Sequence, residues 1–380
     1  MGMVKEVIAG RSAALGKVVP SRIPEENSIQ ARTYQGIPGI EAVSGGKLFA
    51  TWYGGGKGEG PDNYVILSVS SDCGRTWCEI LNIAPPGLVR AYDPTLWVDP
   101  SGRLWWFWSQ SFAPALWEVF DGKCGVWCVC CESPENENLV WTEPRRIADG
   151  IMLNKPVVRS NGDWLLPTAL WFCGKEYILP EDMKYAFSNV TISRDAGKTF
   201  EFLGSADVPD RSFDEHQIVE LRDGRLWMLV RCYGGIGESF SADGGRNWTP
   251  GKPALFGGPN SRFAIRRLRS GSLLLVNHAI PQALPGELGK PEMRKRTDLT
   301  AWLSSDDGKS WRGRMLIDNA MDVSYPDFTQ DSSGRIWLVY DHARYTLGEI
   351  KLASFTEDDV AAGRLVTPGS FLDGLVSAIR

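Results

Sequence analysis

Six stretches of the chain share one pattern, a small-residue turn followed by a short apolar run, and this repetition limits the fold more than any other feature. They read SGGKLFATW (44–52), PSGRLWWFW (100–108), SNGDWLLPT (160–168), RDGRLWMLV (222–230), RSGSLLLVN (269–277) and SSGRIWLVY (332–340). The turn glycines at 46, 102, 162, 224, 271 and 334 lie 47 to 63 residues apart. A Gly after Ser, Asn or Asp supplies the positive φ of a tight hairpin turn, so each unit reads as two antiparallel strands.

A second motif keeps step with the first. Ser70-Ser71-Asp72-Cys73-Gly74-Arg75-Thr76-Trp77 recurs at 193–200, 241–248 and 304–311, always as S-x-D-x-G-x-[TSN]-[WF], and a degenerate copy ends in Trp141. Its parts are mechanical: the Asp side chain caps its own turn, Gly takes a left-handed position, and the aromatic tucks between sheets. Six units of about four strands each describe small sheets repeated around an axis. The expected fold is all-β, a six-bladed β-propeller with four-stranded blades and one domain over 1–380. The segment 1–33 is expected to complete the last blade. The segment 356–380 is expected to be a tail with a short helix, begun by Thr356 as N-cap and stopped by Gly363.

Composition removes several classes of function. With 46 acidic and 41 basic side chains, a net charge of −5 and no basic stripe, the chain does not read as a nucleic-acid binder. Apolar runs such as Leu104 to Trp108 fall far short of the roughly 20 residues of a spanning helix, so no membrane partner is expected. Residues 1–20 lack the apolar core of a secretion signal, and Glu6 stands where a myristoylation pattern wants Ser or Thr. The location expected is therefore cytoplasmic. Cys124, Cys128, Cys130 and Cys131 crowd together without a second Cys or His pair at zinc spacing, so they read as packing residues; 124, 126, 128 and 130 share strand parity and one face. No metal or cofactor is implied. Gly54-Gly55-Gly56 lacks the Lys-Ser/Thr pair and the helix of a phosphate loop.

In a propeller the innermost strand of each blade lines the central channel, and the starts of these strands face one mouth. Counting back from each turn glycine gives Gln35-Gly36-Ile37-Pro38, Tyr92-Asp93-Pro94, Asn154-Lys155-Pro156, Asp214-Glu215-His216-Gln217, Ser261-Arg262-Phe263 and Ser324-Tyr325-Pro326-Asp327. Charged residues recur at nearly the same distance before the turn in five of the six, so polar groups from separate blades are expected to converge in one pit.

The S-x-D-x-G-x-[TSN]-[WF] boxes, with DEHQIVELRDGRLWMLVR, KRTDLTAWLSSDDGKSW and VSYPD, resemble the sialidase (neuraminidase) superfamily of six-bladed propellers, from about residue 34 to 355. The resemblance implies roles residue by residue. Tyr325 matches the tyrosine that attacks the anomeric carbon, and Glu215 the carboxylate that takes its proton. Arg231 and Arg296 match two of three arginines that bind the substrate carboxylate. Glu59 matches the acid/base, with Asp62 as its contender. Asp93, Lys155, His216, Arg262 and Gln35 complete the candidate binding residues. One departure stands out: the family's first-blade arginine falls on Gly36, which marks an atypical member. Arg22-Ile23-Pro24 carries the matching tripeptide, but it lies too far ahead of Glu59 for a single hairpin.

These types fit one chemistry. Retaining glycoside hydrolysis needs a nucleophile and an acid/base on opposite sides of the bond. A neutral phenol does not repel an anionic sugar, and guanidinium forks suit a planar carboxylate. The resemblance therefore implies a retaining exo-glycoside hydrolase acting on a terminal acidic sugar, such as sialic acid or a related keto or uronic acid. Two alternatives stand beside it: a polysaccharide or uronate lyase on the same scaffold, and a non-catalytic glycan-binding propeller.

Overall fold

The computed structural model describes residues 16–113, 124–170, 185–279 and 295–379. Blade one is β1 (Gln35–Ala42), β2 (Leu48–Gly54), β3 (Tyr64–Ser70) and β4 (Cys78–Ile83). Blade two is β5 (Val89–Val98), β6 (Leu104–Phe112), β7 (Gly125–Cys131) and β8 (Arg145–Asp149). Blade three is β9 (Val157–Val158), β10 (Trp164–Ala169), β11 (Ser188–Ser193) and β12 (Glu201–Ala206). Blade four is β13 (Gln217–Glu220), β14 (Leu226–Cys232), β15 (Gly235–Ser241) and β16 (Lys252–Pro253). Blade five is β17 (Ala264–Arg267), β18 (Leu273–His278), β19 (Leu299–Ser304) and β20 (Arg312–Asp318). Blade six is β21 (Val323–Gln330), β22 (Ile336–His342), β23 (Glu349–Phe355) and β24 (Phe371–Ser377), with helix α1 (Glu357–Ala362) before its last strand. Each sheet is an antiparallel meander in chain order, the six-bladed propeller expected from the repeats. None of the described helices is long and apolar enough to cross a membrane.

The six turn glycines join the first and second strands of their blades at φ between 81° and 91°. The boxes join the third and fourth strands of blades one, three, four and five. In the first, Asp72 Oδ1 accepts from the amides of Arg75 and Thr76 at 3.1 and 2.9 Å, and Oδ2 accepts from Thr76 Oγ1 at 2.6 Å. These donors hold the Asp72 carboxyl down at about 2. The box glycine also spaces the blades. A Cβ at Gly197 would stand 2.7 Å from Trp105 of blade two, and one at Gly308 would stand 2.6 Å from Trp227 of blade four. Both tryptophans occupy the third position after a turn glycine, so the two sequence motifs meet across the blade interface.

The cysteines of β7 are packed on both faces. Cys128 and Cys130 join Trp97, Trp105 and Trp164, whereas Cys131 and Cys124 join Trp106, Trp108 and Trp127. Cys124 therefore leaves the face that parity assigned to it; it precedes the strand, and its thiol meets Tyr92 Oη at 3.1 Å. Burial pushes Cys128 and Cys130 up to about 12.

The expected use of the two termini is corrected. The fourth strand of blade six is β24, from the C-terminal segment, so 356–380 is more than a tail and 1–33 is not needed to complete the blade. Ser21 instead bridges to Asn82 on β4 of blade one, and residues 1–15 lie outside the described residues. Side chains fasten blade one to blade six: Asp341 Oδ2 accepts from Ile37 N at 2.8 Å, Asp327 Oδ2 from Ile40 N at 2.9 Å, and Glu41 Oε2 from Thr329 Oγ1 at 2.7 Å. Helix α1 begins and ends where expected, with a reciprocal capping box between Thr356 and Asp359 and Gly363 at φ 69°.

Candidate active site

Irregularities in the inner strands place the candidate side chains. The ladder of β1 with β2 shifts between Gly36 and Gly39, that of β5 with β6 between Tyr92 and Thr95, and that of β21 with β22 between Ser324 and Asp327. Within these bulges Ile37, Asp93 and Tyr325 take left-handed backbone, at φ 60°, 47° and 55°. Glu215, just before β13, does so at φ 41°. Such non-glycine conformations cost about 1–3 kcal/mol each and persist where the surroundings fix them. A bulge re-aims the side chain it carries, and three of these four positions carry a carboxylate or a phenol.

Tyr325 Oη lies 3.2 Å from Glu215 Oε1 and accepts from Arg231 Nη1 at 2.9 Å. The same Nη1 is 2.5 Å from Glu215 Oε1, so blades four and six close a triangle of phenol, carboxylate and guanidinium. All three are buried, and Glu215 Oε2 has no hydrogen-bond partner among the described residues. Burial raises the Tyr325 phenol above its ordinary value despite the opposing pull of Arg231. Burial works against the charge of Arg231, but Glu215 and Tyr325 beside it more than offset that. Asn260 holds two arginines together: its Oδ1 accepts from Arg231 Nε at 2.5 Å, and its carbonyl accepts from Arg231 Nη2 at 3.2 Å and Arg296 Nη2 at 2.9 Å. The Arg296 guanidinium stands 5.3 Å from the centre of the Tyr325 ring. The chain thus brings Tyr325, Glu215, Arg231 and Arg296 together.

Glu59 sits on the loop between β2 and β3. Buried Asn63 knots this loop by bonding the amide of Gly60 and the carbonyls of Gly55 and Gly58. Glu59 Oε1 accepts from Tyr345 Oη at 3.2 Å, and its charge acts on Tyr34 and Tyr53, whereas Asp62 is exposed. Asp93 is buried near Glu59 and Glu215. Burial first, and then the charge of Glu215, push its carboxyl up to about 8. It therefore keeps a proton at neutral pH.

Two neighbouring arginines escaped the sequence reading. Arg90 is fully buried, its guanidinium 4.0 Å from the Tyr92 ring centre and 5.5 Å from that of Tyr53, and none of its three nitrogens has a hydrogen-bond partner among the described residues. Arg344 lies 4.6 Å from the Tyr325 ring centre. Arg90 stands three residues before Asp93 and was legible from that spacing; Arg344 follows β22 in a loop that no repeat marks.

Four expected binding residues have other duties. Lys155 Nζ bonds the carbonyls of Ile40 and Leu96 and lies 3.0 Å from both Glu41 Oε1 and Asp327 Oδ2. Arg262 gives Nε to Asn154 Oδ1, Nη1 to the Pro38 carbonyl and Nη2 to the Leu153 carbonyl. Both are buried fasteners between blades, and every side-chain nitrogen of each already has a partner. Gln35 is wholly buried and bonds Arg32, Trp52, the Gly348 carbonyl and Ser377 across the blade-one to blade-six seam. His216 Nε2 meets the Asn189 carbonyl of blade three, and burial lowers its imidazole to about 4.

Comparisons with known proteins agree with this architecture. The family described as BNR repeat-like domain matches residues 46–338. No curated protein sequence matches the chain. Among solved structures, a Hadza microbial sialidase superposes with a TM-score of 0.67 at 19% identity, over 86% of this chain and 66% of that one. The chain thus spans just under two thirds of that sialidase. An intramolecular trans-sialidase from Ruminococcus gnavus, in complex with oseltamivir carboxylate, gives 0.63 at 14% identity over 92% and 99%. A Dyadobacter fermentans protein of unknown function gives 0.63 at 15% identity over 89% and 97%.

Proposed function

This chain belongs to the BNR repeat-like domain family, and on that premise we propose that it is a retaining exo-glycoside hydrolase that removes a terminal acidic sugar from a glycan. The observation that carries the reading is the Tyr325 phenol held between Glu215 Oε1 at 3.2 Å and Arg231 Nη1 at 2.9 Å. A phenol is a weak nucleophile unless a base stands beside it, and a buried carboxylate whose Oε1 faces the phenol and whose Oε2 has no partner among the described residues is such a base.

Arg231 and Arg296 grip the carboxylate of the sugar. Tyr325 Oη attacks the anomeric carbon while Glu215 takes the phenolic proton. Glu59 gives a proton to the departing glycosidic oxygen, and a glycosyl-tyrosine remains. Water then attacks the same carbon, Glu59 takes its proton, and Glu215 returns a proton to the phenolate as the bond to Tyr325 breaks. The configuration is retained after two displacements. Asp93, protonated at neutral pH, donates a hydrogen bond to the sugar instead of repelling its charge. Two of the similar structures are a sialidase and a trans-sialidase, so sialic acid is the first acidic sugar to test.

The experiment is a panel of aryl glycosides of sialic, glucuronic and neutral sugars, read for released phenol and for ultraviolet absorption of a new C=C bond. The reading expects release from an acidic member with no C=C product. An unsaturated product would mean a lyase. Tight sugar binding without turnover on any member would mean a glycan-binding propeller.

A further inference from the structure

Gly36 and Arg344 compete for one space. A Cβ built at Gly36 would stand 2.9 Å from Arg344 Cδ, 3.0 Å from Arg344 Cβ and 3.0 Å from Asp341 Oδ2. No side chain can occupy position 36 while Arg344 lies where it does. The room that the resemblance assigns to a blade-one arginine is filled by an arginine from blade six.

The loop carrying Arg344 is closely tied. Ala343 is left-handed at φ 48°, its amide donates to the Asp322 carbonyl, and its carbonyl accepts from the amides of Thr346, Leu347 and Gly348. Arg344 so placed is buried, and its guanidinium lies 4.6 Å from the Tyr325 ring centre and 5.3 Å from that of Tyr345. Arg296 and Arg231 stand 5.3 and 5.9 Å from the same Tyr325 ring, so three guanidiniums surround one phenol.

Their charges are only partly balanced among the described residues: burial works against the charge of Arg344, but Asp341 and the phenols around it more than offset that. Arg231 is paired with Glu215, and the nearest carboxylate oxygen to Arg344 is Asp341 Oδ2 at 3.7 Å, which already accepts from Ile37 N. Among the described residues Arg296 donates to the Asn260 carbonyl and, at 3.5 Å, to Ser324 Oγ. Arg344 Nη1 is buried without a hydrogen-bond partner among the described residues. A buried guanidinium with an unpartnered Nη1, beside a second one bonded among the described residues to neutral oxygens, fits an anionic guest. Burial and the like charges of Arg344 and Arg231 also pull Arg296 below its ordinary value, which a bound anion would relieve.

We propose that Arg344 is the third guanidinium of the substrate-carboxylate site, delivered from the loop between β22 and β23 into the space left by Gly36. The assignment rests on the acidic-sugar reading. It makes Gly36 a condition of the site and Arg344 a binding residue for the carboxylate.

The test measures binding without turnover, by calorimetry with free N-acetylneuraminic acid and its methyl ester. The expected result is that the wild-type protein binds the acid well and the ester weakly. Arg344→Met should lower affinity for the acid on the order of 10- to 100-fold, the range for losing one charge-assisted hydrogen-bonded contact, and leave the ester unchanged. Gly36→Arg combined with Arg344→Gly should recover acid affinity relative to Arg344→Gly alone. If Arg344→Met does not fold, Arg344→Lys reads the same site and should give an intermediate affinity with the same preference for acid over ester. Equal acid affinity in wild type and the position-344 variant, or an equal loss for acid and ester, would overturn the assignment. A wild-type protein that binds neither this pair nor glucuronic acid and its methyl ester would remove the acidic-sugar reading and this assignment together.

Discussion

Asp93 and Tyr325 occupy the same place in blades two and six: each is the left-handed residue of an inner-strand bulge, at φ 47° and 55°. The shared distortion re-aims a buried carboxyl and a buried phenol, and both lie within reach of the charge of Glu215. The left-handed region tolerates Asn better than most residues, so Asp93→Asn removes the acid while keeping the backbone.

That substitution yields a prediction about pH. The Asp93 carboxyl is raised to about 8 in the folded protein, against roughly 3.9 in an unfolded chain. Between these values the folded state binds more protons than the unfolded state, so this group lowers stability as pH rises and stops doing so above about 8. Asp214, raised to about 6, acts in the same sense at lower pH, which leaves pH 6.5 to 8 to report on Asp93. Melting curves in that window should show wild type losing stability relative to Asp93→Asn, by about 1–3 kcal/mol in all. Parallel curves for the two proteins would contradict the assignment of a proton to Asp93.

Glu215→Gln removes the base beside the phenol while preserving its shape. On an acidic aryl glycoside, kcat should fall about 10²- to 10⁴-fold, the usual contribution of a positioned general base. Arg231 would also lose its buried counter-charge, so the melting temperature should drop. A melting shift without loss of kcat would make Glu215 only a partner for Arg231.

Lys155→Met tests the reassignment of a channel lysine. It would leave Glu41 and Asp327 buried without the ammonium now 3.0 Å from each. Breaking such a pair costs about 3–5 kcal/mol, so the variant should unfold at much lower denaturant, while the fraction still folded keeps the wild-type KM. A large KM increase with unchanged stability would return Lys155 to the substrate site.

Gly308→Ala tests the contact between the two sequence motifs. The new methyl would meet the Trp227 ring at 2.6 Å on backbone at φ 80°. Strain and overpacking together should cost about 2–4 kcal/mol, seen as a lower urea midpoint. An unchanged midpoint would show that the ring yields freely.

The fold and the candidate cluster stand out in the sequence for different reasons. Turn glycines and S-x-D-x-G boxes recur because every blade needs the same turn and the same spacer, so periodicity alone announces six blades. Tyr325, Glu215, Arg231 and Arg296 lie in segments that carry their identity locally. Lys155 and Arg262 were misread because a charge at a strand start looks the same whether it faces the mouth or the neighbouring blades. Tyr325 and Asp327 stand two residues apart on one strand, yet the first meets Glu215 and Arg231 and the second binds Lys155 and the Ile40 amide. Strand β24 was hidden by α1 and by Gly374, which weaken its pattern. Arg344 could be found only once Gly36 was seen packed against it.

The most direct test of the central claim is mass spectrometry of the protein after reaction with a fluorinated acidic glycosyl fluoride, a reagent that slows the second displacement and so traps the glycosyl-enzyme. One adduct per chain, on the proteolytic peptide containing Tyr325 and absent from Tyr325→Phe, is the predicted result, together with a loss of turnover in that variant of at least about 10³-fold. Turnover that persists in Tyr325→Phe, or an adduct on any other residue, would contradict it.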